Sequence, residues 1–159
     1  MGASSRVAVI AALLAVYIVF GCPLWLLNTD WHIALAHHFF HANIFHLAAN
    51  SLSFWILFRR KTSISEVALA FIIATLSWFL SPAHPVGISN FLFAYIGMLT
   101  PAINHPWWRS RKTITFLAIN AAFVFVPQVS AVTHMVSFVL GSIWAGAKRK
   151  IYRLSHDIG

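Results

Sequence analysis

Charge is what this sequence has least of. Of 159 residues, 9% are Asp, Glu, Lys or Arg, against roughly 25% in ordinary globular chains. Sixty per cent are apolar and the mean hydropathy is +0.78. So few charges do not cover a water-facing surface, which excludes an ordinary soluble domain and leaves lipid as the main solvent. Acids are scarcer still: Asp30, Glu66 and Asp157. Three scattered acids exclude intramembrane aspartyl chemistry, which needs paired aspartates inside spans. Cysteine occurs once, as Cys22, which excludes a disulfide framework and a thiolate metal cluster. There is no internal repeat and no low-complexity stretch.

What is present is apolar sequence in six runs: 7–27, 41–58, 64–81, 87–100, 113–127 and 131–147. Turn formers or charges separate them, among them Asn28-Thr29-Asp30, Arg59-Arg60-Lys61 and Pro127-Gln128. Backbone groups in hydrocarbon must be satisfied within their own segment, so the runs are predicted to be helices. Those shorter than the ~20 residues of a full span are accommodated by tilt or by burial inside a bundle. Arg6 followed by an apolar run ending at Cys22 loosely resembles a lipoprotein signal peptide. The run continues through Leu26 and Leu27, however, and favours a span. The predicted fold is a single all-α domain, 1–159, of six transmembrane helices with a short basic tail, 148–159.

The net charge of +8 fits either nucleic-acid binding or membrane topology, and position decides between them. Arg6 precedes the first run, and Arg59, Arg60 and Lys61 follow the second. Arg109, Arg111 and Lys112 follow the fourth, and Lys148, Arg149, Lys150 and Arg153 follow the sixth. Six crossings put all 11 basic residues on one side. By the positive-inside rule that side is cytoplasmic and holds both termini. The expected setting is a bacterial-type inner membrane, with anionic lipid near the basic tail and no nucleic-acid partner.

Polar side chains at membrane depth are expensive and are functional candidates by default. His46 and Asn50 lie four apart in the second run, about 40° around a helix, and share a face; His41 lies about 140° from His46. Gly87-Ile88-Ser89-Asn90 opens the fourth run, where Gly87, Asn90, Ala94 and Gly97 form a stripe that permits close helix approach. His134 lies early in the sixth run, ahead of Ser137, Gly141 and Ala145. Taken singly, each polar residue is explained by helix cross-linking or by a hydroxyl bonded back to its own helix. Together they converge, because His46, Asn50, Ser89 and His134 all fall within the first ten residues of spans entering from the outer side. Chemically the set is a nucleophile, Ser89, a base, His134, and two oxyanion donors, His46 and Asn50. With no acid at that depth, serine chemistry must run on a dyad.

These residues resemble the motifs of the rhomboid intramembrane proteases. In that family a first His in helix two is followed by a second His five residues on and an Asn four beyond, as His41, His46 and Asn50 are here. Gly87 and Ser89 match the Gly-x-Ser-Gly that opens helix four, and Gly97 matches a later glycine. His134 with Gly141 matches helix six. The resemblance covers 7–147. It implies Ser89 as nucleophile, His134 as its base, and His46 and Asn50 assisting the Ser89 amide at the oxyanion. The substrate would be a single-pass or otherwise membrane-anchored protein, cleaved near the outer face. Four features depart from the pattern. Asn90 and Ser137 each replace a glycine, Phe93 stands where many members carry a tyrosine near the histidine, and the outer loop 28–40 is short. Asn90 and Ser137 are expected either to crowd the contact between the fourth and sixth helices or to hydrogen-bond across it.

Three rival readings were weighed. His37, His38, His41 and His46 cluster in sequence, but metal hydrolysis needs a carboxylate base, so neither metal nor cofactor is expected. A catalytically inert relative that binds client helices commonly lacks the Ser or the His, and this chain has both. An acyl-enzyme on Ser89 can also be resolved by an amine instead of water, giving transpeptidation or cyclisation. The sequence leaves that choice, and the oligomeric state, open.

Overall fold

The computed structural model describes residues 1–21, 31–59, 61–80, 86–99 and 130–157. Among these there are six α-helices, one 3-10 turn and no strand. The predicted span 113–127 lies outside the described residues.

Helix α1 is Ala3–Phe20. It was predicted to run to residue 27 and instead stops at Gly21, whose φ of 62° suits a residue without a Cβ. The Gly21 amide closes on the Tyr17 carbonyl at 2.8 Å, and residues 22–27 lie outside the described residues. Helix α2, Trp31–Ala36, leads into the 3-10 turn His37–Phe39. Helix α3, Ile44–Leu57, is capped by Asn43, whose side-chain oxygen accepts the His46 amide at 2.9 Å. His41 therefore stands ahead of the helix, not on it as the sequence predicted.

Helix α4, Ile64–Phe79, opens with a capping box. The Ser63 hydroxyl accepts the Glu66 amide and the Glu66 carboxylate accepts the Ser63 amide. Helix α5, Ser89–Leu99, starts two residues later than predicted, because Gly87 takes a φ of 114°. Helix α6 is Ala131–Asp157, with Ser130 accepting the Thr133 amide. The basic tail predicted from 148 is, up to Asp157, a continuation of this helix. No Gly or Pro interrupts 147–157, and Lys and Arg are good helix formers.

At the centre lies α5, buried except at Phe93 and Leu99, packed chiefly on α6 and then on α4. Phe54, Phe58, Phe91 and Tyr95 form a run of stacked rings between α3 and α5, with centroids 4.5 to 5.5 Å apart. The Tyr95 hydroxyl meets Thr62 Oγ1 at 2.9 Å. Arg6, buried in α1, donates from Nη1 to the Trp55 carbonyl in the last turn of α3 at 3.1 Å and lies 4.2 Å above the Trp55 ring. A cation at a helix C-terminus opposes the negative end of the dipole.

Beside an apolar core that includes Leu13, Leu92 and Ile96, many polar side chains are buried and many large apolar ones are exposed. His37, His38, His41, His46, Asn50, Ser77, Ser89, Asn90, Thr133, His134 and Ser137 are buried, while Ile18, Phe45 and Ile64 are 73, 74 and 88% exposed. Of the described helices, α1 alone is long and apolar enough to cross a membrane on length and composition; α3, α4 and α5 are shorter apolar helices.

Candidate active site

Two glycines set the spacing of the site. A Cβ on Gly97 would run into the Phe138 carbonyl, and one on Gly141 into the Ala94 carbonyl, so α5 and α6 touch backbone to backbone. The close helix approach that the stripe in the fourth run permits is made here by Ala94 and Gly97 against α6. This close approach carries Ser89, the first residue of α5, to His134 in the first turn of α6.

His134 Nε2 lies 2.7 Å from Ser89 Oγ, and both residues are buried. The Phe93 ring stacks on the imidazole, centroids 4.4 Å apart and 12° from parallel. Nδ1 of His134 has no hydrogen-bond partner among the described residues. For Nε2 to accept the serine proton, Nδ1 must carry the other one. Among the described residues the ring is therefore held by stacking and by Ser89, with no third group bonded to Nδ1.

His46 and Asn50 converge on the segment that carries the serine. A Cβ on Gly87 would lie 2.8 Å from His46 Cε1 and 3.1 Å from Asn50 Nδ2. Only glycine permits that approach at this φ. Asn50 Nδ2 is buried and meets no acceptor among the described residues. His41 lies beside His46, ring centroids 5.4 Å apart and 70° from parallel.

The chain was compared with family models, with curated proteins and with solved structures, and none matches.

Asn90 and Ser137 neither crowd the contact between α5 and α6 nor bond across it. Each bonds to a third element. Ser137 Oγ meets Ser77 Oγ of α4, and Ser77 also donates to the Ala74 carbonyl at 2.7 Å. The Ser77 proton being used there, Ser137 is the donor to Ser77, one turn beyond His134. Asn90 Nδ2 lies 3.5 Å from His37 Nε2.

The histidines of the 3-10 turn were considered in sequence only as metal ligands. In the structure His37 Nδ1 donates to the Ala34 carbonyl at 2.7 Å, and its ring stacks on Trp78. His38 Nε2 meets Thr75 Oγ1 of α4 at 3.2 Å. Burial, and then the neighbouring His37, hold His38 well below the ordinary histidine range, so it is neutral. Thr75 already donates to the Phe71 carbonyl, which makes His38 the donor in that pair. Among the described residues no group of three or more His, Cys, Asp or Glu is placed to hold a metal. The roles of His37 and Ser77 were missed in sequence because their partners lie 53 and 60 residues away.

Proposed function

We propose that this chain is a rhomboid-like intramembrane serine protease that cleaves a membrane-anchored protein near the outer face of the membrane. The observation that carries the reading is the buried hydrogen bond of 2.7 Å between Ser89 Oγ and His134 Nε2, beneath the Phe93 ring. Serine is a weak nucleophile until a base within reach takes its proton, and that pair supplies both members.

In this mechanism His134 Nε2 accepts the Ser89 proton as Oγ attacks the scissile carbonyl. The negative charge that develops on the carbonyl oxygen is met by the Ser89 amide, Asn50 Nδ2 and His46. Collapse of the tetrahedral intermediate expels the amine, which takes the proton from the imidazolium and leaves an acyl-enzyme on Ser89. Water, deprotonated by His134, then releases the acid. Each step draws on residues of this chain, with no role for metal or cofactor.

The membrane setting is supported by the low charge, the one-sided basic residues, and the large apolar side chains exposed around buried polar ones. In this reading both termini are cytoplasmic, the protein spans a bacterial-type inner membrane, and the site opens towards its outer side.

The test is labelling by a serine-reactive fluorophosphonate. Wild type should be labelled and Ser89→Ala should not, with expression and folding unchanged, because loss of one hydroxyl leaves almost no cavity. Equal labelling of both proteins would refute the serine mechanism.

A further inference from the structure

Two residues of the segment that carries Ser89, Gly87 and Asn90, are tied to the same histidine. The Gly87 amide donates to the His37 carbonyl at 2.8 Å. Asn90 Nδ2 reaches His37 Nε2 at 3.5 Å. His37 Nδ1 donates to Ala34, so in the neutral ring Nε2 carries a lone pair and Asn90 must be the donor. The ring stacks on Trp78, 5.6 Å away and 26° from parallel, and lies 3.8 Å from the ring of His38, which is itself tethered to Thr75 of α4. His37 and Asn90 are both fully buried.

We infer that His37 is a positioning residue for the catalytic serine, with Asn90 as its partner: a buried bracket that fixes the segment 87–90 against the turn 37–39 and so sets where Ser89 Oγ stands. The inference rests on the protease reading above. Its physical basis is the geometry of Gly87. That residue is held from one side by the His37 carbonyl and abuts His46 and Asn50 on the other. Releasing the bracket lets the segment move relative to both the oxyanion donors and His134. An asparagine in place of glycine after the nucleophile is thereby explained, because glycine offers His37 no donor. The position of reacting groups matters steeply: a displacement of about 1 Å is enough to lose ~10²-fold in rate.

The experiment measures kinact and KI for fluorophosphonate labelling of Ser89, together with thermal unfolding, in the full-length protein in detergent. The variants are Asn90→Ala, His37→Leu, His37→Gln and the double variant of Asn90→Ala with His37→Leu. Asn90→Ala leaves the backbone bond to Gly87 in place and serves where His37→Leu folds poorly. Asn90→Ala and His37→Leu should each lower kinact by roughly tenfold or more with KI unchanged. The double variant should be no slower than the slower single one, as expected of two residues acting through one contact. His37→Gln, which can present a carbonyl oxygen near the position of Nε2, should recover part of the loss. A purely structural role would lower the unfolding midpoint and leave kinact unchanged. Ser89-dependent labelling that is indifferent to all these variants, or losses that simply multiply, would overturn the inference alone. Absence of Ser89-dependent labelling in wild type would overturn both the inference and the protease reading.

Discussion

Gly141→Ala is the smallest change expected to separate Ser89 from His134 without touching either. The new methyl group would enter the Ala94 carbonyl and come within 3.0 Å of the Met98 amide nitrogen. Both are backbone atoms of α5, so no side chain can swing aside. With non-bonded atoms comfortable at about 3.5 Å, the helices must part by roughly 1 Å at this point. Overpacking of this kind costs ~1–3 kcal/mol. His134 lies two turns along the same helix, and its bond to Ser89 measures 2.7 Å. Opening the contact between α5 and α6 by that amount carries the pair beyond hydrogen-bond reach, and loss of near-attack geometry then lowers the labelling rate by about 10²-fold. The assay pairs fluorophosphonate labelling with thermal unfolding in detergent. Gly146→Ala is the control, since a Cβ there meets nothing within 4 Å. If Gly141→Ala kept wild-type labelling and wild-type stability, the argument that this contact sets the catalytic distance would fail.

Three further outcomes are expected. Asn50→Ala should lower kcat by about 10²–10³ with little change in KM, the ~2.7–4 kcal/mol of a lost oxyanion donor, with a smaller split for the bulkier His46; loss of only ~0.6 kcal/mol of stability at normal turnover would make these residues helix cross-links instead. Ser77→Ala should unfold at lower temperature than Ser137→Ala, since the first orphans the buried Ser137 donor while the second leaves Ser77 bonded to Ala74; the reverse order would refute the assigned donor direction. Cysteines introduced as Ser5→Cys and Ser155→Cys in a Cys22→Ala background should both resist an impermeant thiol reagent added outside, and labelling of either would refute the topology.

The pairing of Ser89 with His134 was legible because both stand at the start of apolar runs, where chain direction alone brings them to one depth. The stripe through Ala94 and Gly97, with its counterpart at Gly141, was legible because small residues at helical spacing have one strong physical use. Helix ends were less so. The extension of α6 to Asp157 was missed because a drop in hydropathy at Lys148 was equated with the end of the helix, although basic residues propagate helices well. His41 was placed on α3 because the second run was started at residue 41, whereas Asn43, which caps the helix, is the better start signal. The Ser63 and Glu66 capping box was there to be found and was passed over. His37 had no local signal: its part in the site depends on a turn folding back onto α5.

Helix α6 is also a beam resting on a pivot. Its 27 residues run unbroken from beside Ser89 to Asp157, and it bears on α5 at two adjacent points, Gly141 against Ala94 and Phe138 against Gly97. At 1.5 Å per residue, His134 stands about 10 Å to one side of Gly141 and Arg153 about 18 Å to the other. Rocking the beam so that Arg153 travels 1 Å therefore swings the imidazole by about 0.6 Å the opposite way, a large fraction of the tolerance within which a proton can still pass from serine to histidine. In the protease reading proposed above, the far end of α6 is thereby geared to the base through these two glycine contacts.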